Sequence, residues 1–271
     1  MFSQYKVLAI DIDGTLARTD GSISHHIIQF LIRLQRHGII LCLASGRPTS
    51  GIMPIARLLC MHQYGGYIIS FNGATLYDCK NQKQIYSTTL PSEAIPVVVE
   101  CGRRPSHAML TYAADAILTE KPSDPYVQIS HQRNALPVRK VNDFENDIDV
   151  PISKCIITGE PSLMPALQRE VSARLYGIAD AYLREAYFLE VVRKGVDKAE
   201  ALSRLLEFLH LSHEVLVAAG DGHNDIGMIR LAGIGIAMSN AHPDVRGVAD
   251  IVAPHVDDDG LLQVLQKLFL M

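Results

Sequence analysis

Neither an excess of positive charge nor a long hydrophobic run is present in this chain of 271 residues. The 25 Lys and Arg residues stand against 29 Asp and Glu residues, which gives a formal net charge of −4 at pH 7. Nucleic acids and anionic membranes are bound through an excess of Lys and Arg, so we expect neither as a partner. No uninterrupted apolar run approaches the length of a membrane-spanning helix, so none is predicted.

Closely paired cysteines are also lacking, and no signal peptide is predicted. The five cysteines are an odd number, and no two of them form a C-x-x-C pair. Such a set is not typical of a disulfide framework, so we expect reduced thiols. The apolar run near the N-terminus is interrupted at Asp11, which makes it too short for a signal peptide. These features predict a cytoplasmic protein.

The composition is that of a globular protein of enzyme size. Hydrophobic residues make up 48% of the sequence and charged residues 20%, which excludes a disordered chain. A length of 271 residues predicts about two domains. It also allows enough buried surface for folding without a disulfide or a structural metal.

Apolar runs alternate with helical periodicity over the first 82 residues. Runs at Val7–Ile10, residues 39–44 and residues 67–71 predict buried strands, with helices between them. The same alternation returns after residue 195 and ends in a predicted helix over residues 261–270. This order of strands and helices indicates parallel β-α-β units with helices on both faces of a sheet.

The pattern changes between residues 83 and 192. Nine prolines divide this segment into short alternating runs, which predict several short strands and two helices. The segments on either side are incomplete without each other. We therefore predict a Rossmann-like, doubly wound parallel sheet formed by residues 1–82 and 193–271, with residues 83–192 inserted as an α+β domain.

The most specific motif is Asp-Ile-Asp-Gly-Thr at residues 11–15, directly after the first predicted strand. Ligands of open α/β sheets bind at the carboxyl ends of the strands. A turn at Gly14 can bring Asp11 and Asp13 toward one point, so that one carboxylate attacks a substrate while the other transfers a proton. An EF-hand calcium loop does not fit, because Ser22 stands where its bidentate Glu is required.

Three further junctions between a predicted strand and a helix carry residues suited to phosphate or metal. Residues 45–47, Ser-Gly-Arg, offer a hydroxyl and backbone N–H groups for an anion. Lys198 lies at a predicted helix start, where the helix dipole disfavours a cation. Asp221, Asn224 and Asp225 provide the oxygen atoms that Mg²⁺ prefers.

Each of these features also has a purely structural interpretation. A Ser-Gly pair after a strand is commonly a turn, a single Lys is commonly solvated, and Asp and Asn commonly cap helices. Their occurrence at four junctions of one chain favours a shared site. By contrast, His210 and His213 stand at a predicted helix end without further ligands, so we interpret them as polar surface.

Taken together, the four junctions resemble the motifs of the haloacid dehalogenase-like superfamily, and in particular its Cof-type phosphatases. Residues 11–16, 45–47, 195–198 and 220–225 match the four motifs in order. The turn at residues 72–74 and residues 237–241 match sequences that accompany them. The resemblance covers the predicted core. The inserted segment resembles the family's α/β cap domain only in its general pattern of short strands and helices.

The resemblance implies Mg²⁺-dependent hydrolysis of a small phosphomonoester through an aspartyl phosphate. Asp11 would attack phosphorus, and Asp13 would protonate the leaving oxygen and then activate water. The implied catalytic residues are Asp11, Asp13 and Lys198. The implied phosphate-binding residues are Ile12, Ser45, Gly46, Lys198 and Asn224. The implied metal ligands are Asp11, Asp13 through its backbone carbonyl, Asp221 and Asp225.

The substrate stays open at the level of sequence. A sugar phosphate, a nucleotide and a phosphorylated cofactor are all candidates, because the inserted domain would select the leaving group. Two alternative functions also remain: a phosphomutase that returns the phosphoryl group to its sugar, and a non-catalytic sensor of phosphorylated metabolites. The sequence does not determine an oligomeric state.

Overall fold

A computed structural model describes residues 4–269 of the chain. Over that range the chain forms two compact units. The first unit contains the residues up to Tyr86 and from Asp197 onward, and the second, called the inserted unit below, contains residues 87–196. Each boundary lies four residues beyond the sequence-based one, because Lys83–Ser87 is a strand of the first sheet and Phe188–Arg193 is a strand of the second.

The strands and helices of residues 4–269 are numbered separately in chain order. The strands are β1 Val7–Ile10, β2 Ile40–Ala44, β3 Tyr67–Ser70, β4 Thr75–Asp78, β5 Lys83–Ser87, β6 His107–Tyr112, β7 Ile117–Thr119, β8 Val138–Lys140, β9 Lys154–Gly159, β10 Ala179–Glu185, β11 Phe188–Arg193, β12 Leu216–Gly220, β13 Ile234–Met238 and β14 Ile251–Ala253. The helices are α1 His25–Arg36, α2 Thr49–Leu58, α3 Met61–Tyr64, α4 Ile95–Gly102, α5 Pro125–Asn134, α6 Met164–Arg174, α7 Lys198–Phe208, α8 Ile226–Leu231, α9 Pro243–Arg246 and α10 Gly260–Phe269.

The first unit is built on one sheet with the strand order β14-β13-β12-β1-β2-β3-β4-β5. The strands from β14 to β3 are parallel, and β4 pairs with β3 in the antiparallel direction. Alternate residues of β1 pack on opposite faces: Leu8 lies in the core that contains α1 and α10, and Ala9 lies in the core that contains α7. This confirms the predicted doubly wound α/β fold.

The central strands place the candidate residues at one edge of this sheet. All residues of β1 and β12 are buried, as expected for parallel strands covered on both faces. Because β1, β2 and β12 are parallel, their carboxyl ends meet at the same edge. Asp11, Ser45 and Asp221 each follow directly after one of these strands.

The inserted unit has its own sheet, with the strand order β10-β11-β9-β6-β7-β8. Its neighbouring strands are antiparallel except for the parallel pair β7–β8. Residues 87–196 are all described and contain three α-helices, α4 to α6, where the sequence predicted two. Pro96, Pro125 and Pro165 stand in the first two positions of these helices. A proline there loses no hydrogen bond, so residues interpreted as breaks in fact begin helices.

Three smaller predictions can be compared with the structure. The last helix begins at Gly260 and is described as far as Phe269, while position 270 of the prediction lies outside the described residues. The five cysteines all have free thiols. None of the helices described between residues 4 and 269 is long and apolar enough to span a bilayer.

Candidate active site

Three carboxylates meet at the carboxyl edge of the first sheet. Asp11 follows β1, and Asp221 and Asp225 follow β12. One carboxylate oxygen of each lies within 4.8 Å of one oxygen of the other two. Asp11 and Asp225 are buried and Asp221 is half-buried. The two segments are about 200 residues apart in sequence, and the β1–β12 pairing brings them together.

Lys198 connects this cluster to α7. Its side chain is completely buried, and its Nζ donates to Asp11 Oδ1 at 2.5 Å and to Asp225 Oδ1 at 2.6 Å. Burial by itself would lower the pKa of Lys198, but the charges of Asp11 and Asp225 outweigh burial and raise it. The ammonium group is therefore held in its charged form at a helix start, where a cation is otherwise unfavourable.

Asp225 holds the loop after β12 in place. Its Oδ1 accepts the hydrogen bond from Lys198, and its Oδ2 accepts from the N–H groups of Asp221 at 3.0 Å and Gly222 at 2.9 Å. The loop passes very close to this side chain, because a Cβ on Gly220 would lie 2.4 Å from the Asp225 Cβ. Asp225 therefore fixes both the ammonium group and the backbone that carries Asp221.

Asp221 contacts the turn after β1. Thr15 Oγ1 donates to Asp221 Oδ1 at 2.9 Å. Gly14 has a φ of +84°, and a Cβ at this position would lie 2.4 Å from Asp221 Oδ2. Asn240 Nδ2 donates to the Gly14 carbonyl at 2.8 Å, which secures the turn from the loop after β13. A side chain at position 14 would therefore displace the carboxylate.

The charge of the cluster fits a divalent cation. Burial raises the pKa of Asp11 to about 8 against the opposing charge of Lys198, and Asp225 and Asp221 add to the rise. Burial also raises the pKa of Asp221 to about 6. Three carboxylates thus share one ammonium group in a poorly solvated site. A hard cation that takes oxygen ligands, such as Mg²⁺, suits both the charge and the donor atoms.

The carboxylate of Asp13 is bound by Arg47. Arg47 donates to its carboxylate twice, from Nε to Oδ2 at 3.0 Å and from Nη2 to Oδ1 at 2.5 Å. Among the described residues, the close group of metal-competent carboxylates contains Asp11, Asp221 and Asp225 and does not contain the Asp13 side chain. Its predicted contribution to a metal site is accordingly through the backbone carbonyl.

The predicted phosphate-binding residues lie on adjoining loops. Ser45 is completely buried, and its Oγ accepts from the Arg47 N–H at 3.2 Å. The Ser45 carbonyl accepts from the Asn72 N–H at 3.0 Å, and Asn72 Oδ1 accepts from Asn224 Nδ2 at 2.9 Å. Ile12, in the turn after β1, is buried, and Gly46 follows Ser45. Their roles toward phosphate stay predictions.

Three residues in this region received no role from the sequence, although each stands inside a motif. Arg47 holds Asp13, Thr15 holds Asp221, and Asn72 connects Ser45 with Asn224. Their positions inside the motifs were the signal by which the sequence could have identified them as site residues. What each side chain contacts depends on loops that come from different strands.

Comparisons with known proteins find similarity over nearly the whole chain. The family model for haloacid dehalogenase-like hydrolases matches residues 8–265. A haloacid dehalogenase-like hydrolase of known structure from Bacteroides thetaiotaomicron is 41% identical, with a TM-score of 0.94 over 98% of this chain and 100% of its own.

Two relatives carry the names of phosphatases. The 5-amino-6-(5-phospho-D-ribitylamino)uracil phosphatase of Bacillus subtilis is 24% identical over 97% of each chain. The HMP-PP phosphatase of Yersinia pseudotuberculosis is 26% identical over 89% of this chain and 86% of its own. Similarity that extends over most of both chains includes the inserted unit as well as the sheet that carries the site.

Proposed function

The chain belongs to the haloacid dehalogenase-like hydrolase family, and from this membership we propose that it is a Mg²⁺-dependent phosphatase that forms an aspartyl phosphate on Asp11. Two of the proteins described above are named as phosphatases, and the enzyme class of this chain is phosphoric monoester hydrolase. The observation that carries the mechanistic proposal is the contact of Lys198 Nζ with both Asp11 and Asp225 beside the Asp221 carboxylate.

Asp11 is the proposed nucleophile. Lys198 holds Asp11 Oδ1 at 2.5 Å, which fixes the orientation of the carboxylate. A carboxylate oxygen forms a bond to phosphorus while the bond from phosphorus to the leaving oxygen breaks. Water then attacks the phosphorus of the aspartyl phosphate, releases inorganic phosphate and restores the carboxylate. Lys198 offsets the negative charge of the phosphoryl group throughout.

Asp13 is the proposed acid and base. It gives a proton to the leaving oxygen in the first step and takes a proton from water in the second. Arg47 holds both of its oxygens in the structure, so the proposal requires Asp13 to exchange this partner for the leaving oxygen. The loop from Ser45 to Arg47 thus carries a residue for the phosphate and a residue that positions the acid.

Asp11, Asp221, Asp225 and the Asp13 carbonyl are the proposed Mg²⁺ ligands, and the bound ion would neutralise the carboxylates and polarise the phosphoryl oxygen. Ile12, Ser45, Gly46 and Asn224 are proposed to bind the phosphate oxygens. The pKa of Asp11 and the pKa of Asp221 are both raised by burial, which supports the need for an additional positive charge.

Phosphorylated cofactor precursors and sugar phosphates are the proposed substrates. One relative is named for a phosphoribitylamino-uracil and another for HMP-PP, which are both phosphorylated small molecules. We propose that the inserted unit selects the leaving group. A cytoplasmic location also stays part of the proposal, because the five free thiols suit a reducing compartment.

The proposal is tested by measuring phosphate release from a panel of sugar phosphates, nucleotides and phosphorylated cofactors, with Mg²⁺ and with chelator. Asp11→Asn is compared with wild type, and Asp115→Asn, an exposed carboxylate of the inserted unit, serves as the matched control. We expect release that requires Mg²⁺ and is abolished by Asp11→Asn while the variant stays folded.

Other outcomes point to the alternatives. More than a few per cent of residual activity in Asp11→Asn would contradict the nucleophile assignment. Turnover that requires a sugar bisphosphate would indicate a phosphomutase. No phosphate release from any compound of the panel, together with binding of a phosphorylated compound, would favour a sensor.

A further inference from the structure

A second group of metal-competent side chains lies at the surface of the first unit. His223 follows β12, and His242 and Asp244 stand in the loop after β13 and in α9. One ligand atom of each of the three lies within 4.8 Å of those of the other two. Their side chains are 63%, 54% and 69% exposed, so an ion can reach them from solvent.

The distances within this group are close to those of a metal site. His223 Nε2 lies 3.7 Å from Asp244 Oδ2, and His242 Nδ1 lies 3.4 Å from the same oxygen. The two imidazole rings have centroids 4.5 Å apart at an angle of 43°. Around tetrahedral zinc, neighbouring ligand atoms are separated by roughly 3.4 Å, given bonds of about 2.0–2.1 Å. Both separations from Asp244 Oδ2 are within about 0.3 Å of that value.

The donor atoms select the kind of ion. Two imidazole nitrogens and one carboxylate oxygen suit Zn²⁺ and other transition-metal dications, whereas Mg²⁺ prefers oxygen ligands alone. Three protein ligands leave a further coordination position for water. We propose that His223, His242 and Asp244 bind a transition-metal dication, for which Zn²⁺ is the probe. This inference does not depend on the proposed phosphatase function.

The chain contains an internal comparison for this site. His242 caps α9, because its Nδ1 accepts from the Asp244 N–H at 3.3 Å. His255 makes the same cap with Asp257, at 3.2 Å, and its Nδ1 lies 3.6 Å from Asp257 Oδ2. Within the described residues, a second histidine completes a three-ligand group at His242 and not at His255. His223 is therefore the residue that turns a helix cap into a metal site.

Binding at this site has a small structural cost. At 3.3 Å, the hydrogen bond from the Asp244 N–H to His242 is longer than the usual 2.9–3.0 Å, so its exchange for a metal bond loses little. All three side chains are exposed, so they stay largely hydrated when they bind an ion, and a water bound to the ion can replace the hydration that is lost. The loops after β12 and β13 would then be joined by the ion.

The experiment is a calorimetric titration of the full chain with Zn²⁺ in the presence of excess Mg²⁺ and a non-thiol reductant. Excess Mg²⁺ competes with Zn²⁺ for the carboxylates of the Asp11 cluster. This competition is needed because His223 lies within two residues of Asp221 and Asp225, which belong to that cluster. The variants are His223→Gln and His242→Asn, and the matched control is His255→Asn. Asn is a good N-cap residue, so the two Asn variants keep their caps.

We expect one Zn²⁺ to bind per wild-type chain, and each ligand variant to weaken binding by on the order of tenfold or more. His255→Asn should bind like wild type, and circular dichroism should show all variants folded. The proposal is overturned by the absence of saturable binding, by binding that survives His223→Gln, or by an equal loss in His255→Asn. Phosphatase activity is not a readout, so failure here leaves the proposed function untouched.

Discussion

The position of Lys198 is unfavourable for a positive charge for two reasons. It is completely buried, and it is the first residue of α7, where the helix dipole is positive. Two hydrogen bonds to the buried carboxylates of Asp11 and Asp225 compensate for both effects. The three groups depend on one another, because removing the ammonium group leaves two carboxylates without a charge partner.

We expect Lys198→Met to lose both stability and activity. In chelator, the free energy of unfolding should fall by roughly 3–5 kcal/mol, because the buried carboxyl groups of Asp11 and Asp225 lose the ammonium group that pairs with both of them. Urea unfolding measures this loss, and phosphate release measures activity. Lys83→Met, at an exposed residue of β5, should change the free energy of unfolding by no more than about 0.5 kcal/mol. An unchanged urea midpoint in Lys198→Met would contradict the description of the pair.

At the same scale, the sequence identified the carboxylates but not their partners. That the turn at Gly14 can bring Asp11 and Asp13 toward one point stays a prediction. In the structure, Asp11 pairs with Lys198, and Asp13 pairs with Arg47. These contacts join residues 187 and 34 positions apart, so they depend on which strands are neighbours and on side-chain rotamers. Neither can be deduced from local spacing.

At the scale of elements, prediction succeeded where burial leaves a clear pattern. β1 and β12 are covered on both faces, so their sequences are continuous apolar runs. β5 has the sequence Lys-Gln-Ile-Tyr-Ser, lies at the sheet edge and is partly exposed, so no apolar pattern identified it. In the inserted unit, the prolines predict breaks between short elements, but three of them stand in the first two positions of helices.

One side chain connects three segments of the inserted unit. Glu120, directly after β7, accepts hydrogen bonds from Arg103 Nη2 at 2.7 Å and from the Phe144 N–H at 2.8 Å. Arg103 follows α4, and Phe144 is completely buried. The Arg103 hydrogen bonds, together with the Phe144 N–H, lower the pKa of Glu120 from its ordinary value of 4.5, although burial opposes this.

This lowered pKa makes part of the stability of the inserted unit depend on pH. The folded state binds the Glu120 proton less tightly than the unfolded state, so the contribution is present above about pH 4.5 and is lost as pH falls through the folded pKa. We expect Glu120→Gln to lower the melting temperature at pH 7, by a difference that shrinks as the pH falls below 4.5. Thermal unfolding at several pH values measures it, with exposed Glu93→Gln as control. The same difference at every pH would contradict the assignment.

At the scale of the whole molecule, the order of strands explains why the two outer segments need each other. β1 lies between β12 and β2, so the centre of the first sheet combines the two ends of the sequence. The incompleteness of each segment was visible in the sequence as a strand–helix alternation that stopped at residue 82 and returned later. The positions of the boundaries were less visible, because β5 and β11 have no sharp change in composition at their ends.

The strand order also predicts which pieces of the chain fold alone. Residues 87–196 contain a complete six-stranded sheet and an apolar core that includes Val98, Cys155 and Leu189. Residues 1–86 contain β1 but not β12, so a strand that is buried in the full chain would present an unpaired apolar edge. We therefore expect the fragment of residues 87–196 to unfold cooperatively on heating. The fragment of residues 1–86 should lack a cooperative transition.

Circular dichroism melting and the dispersion of amide signals in NMR spectra measure this difference, with the full chain as reference. Adding residues 197–271 as a separate chain should restore structure to residues 1–86, because it supplies β12 as well as the α7 side chains that pack in the same core as Ala9. A folded 1–86 fragment, or an unfolded 87–196 fragment, would contradict the division of the chain into these two units.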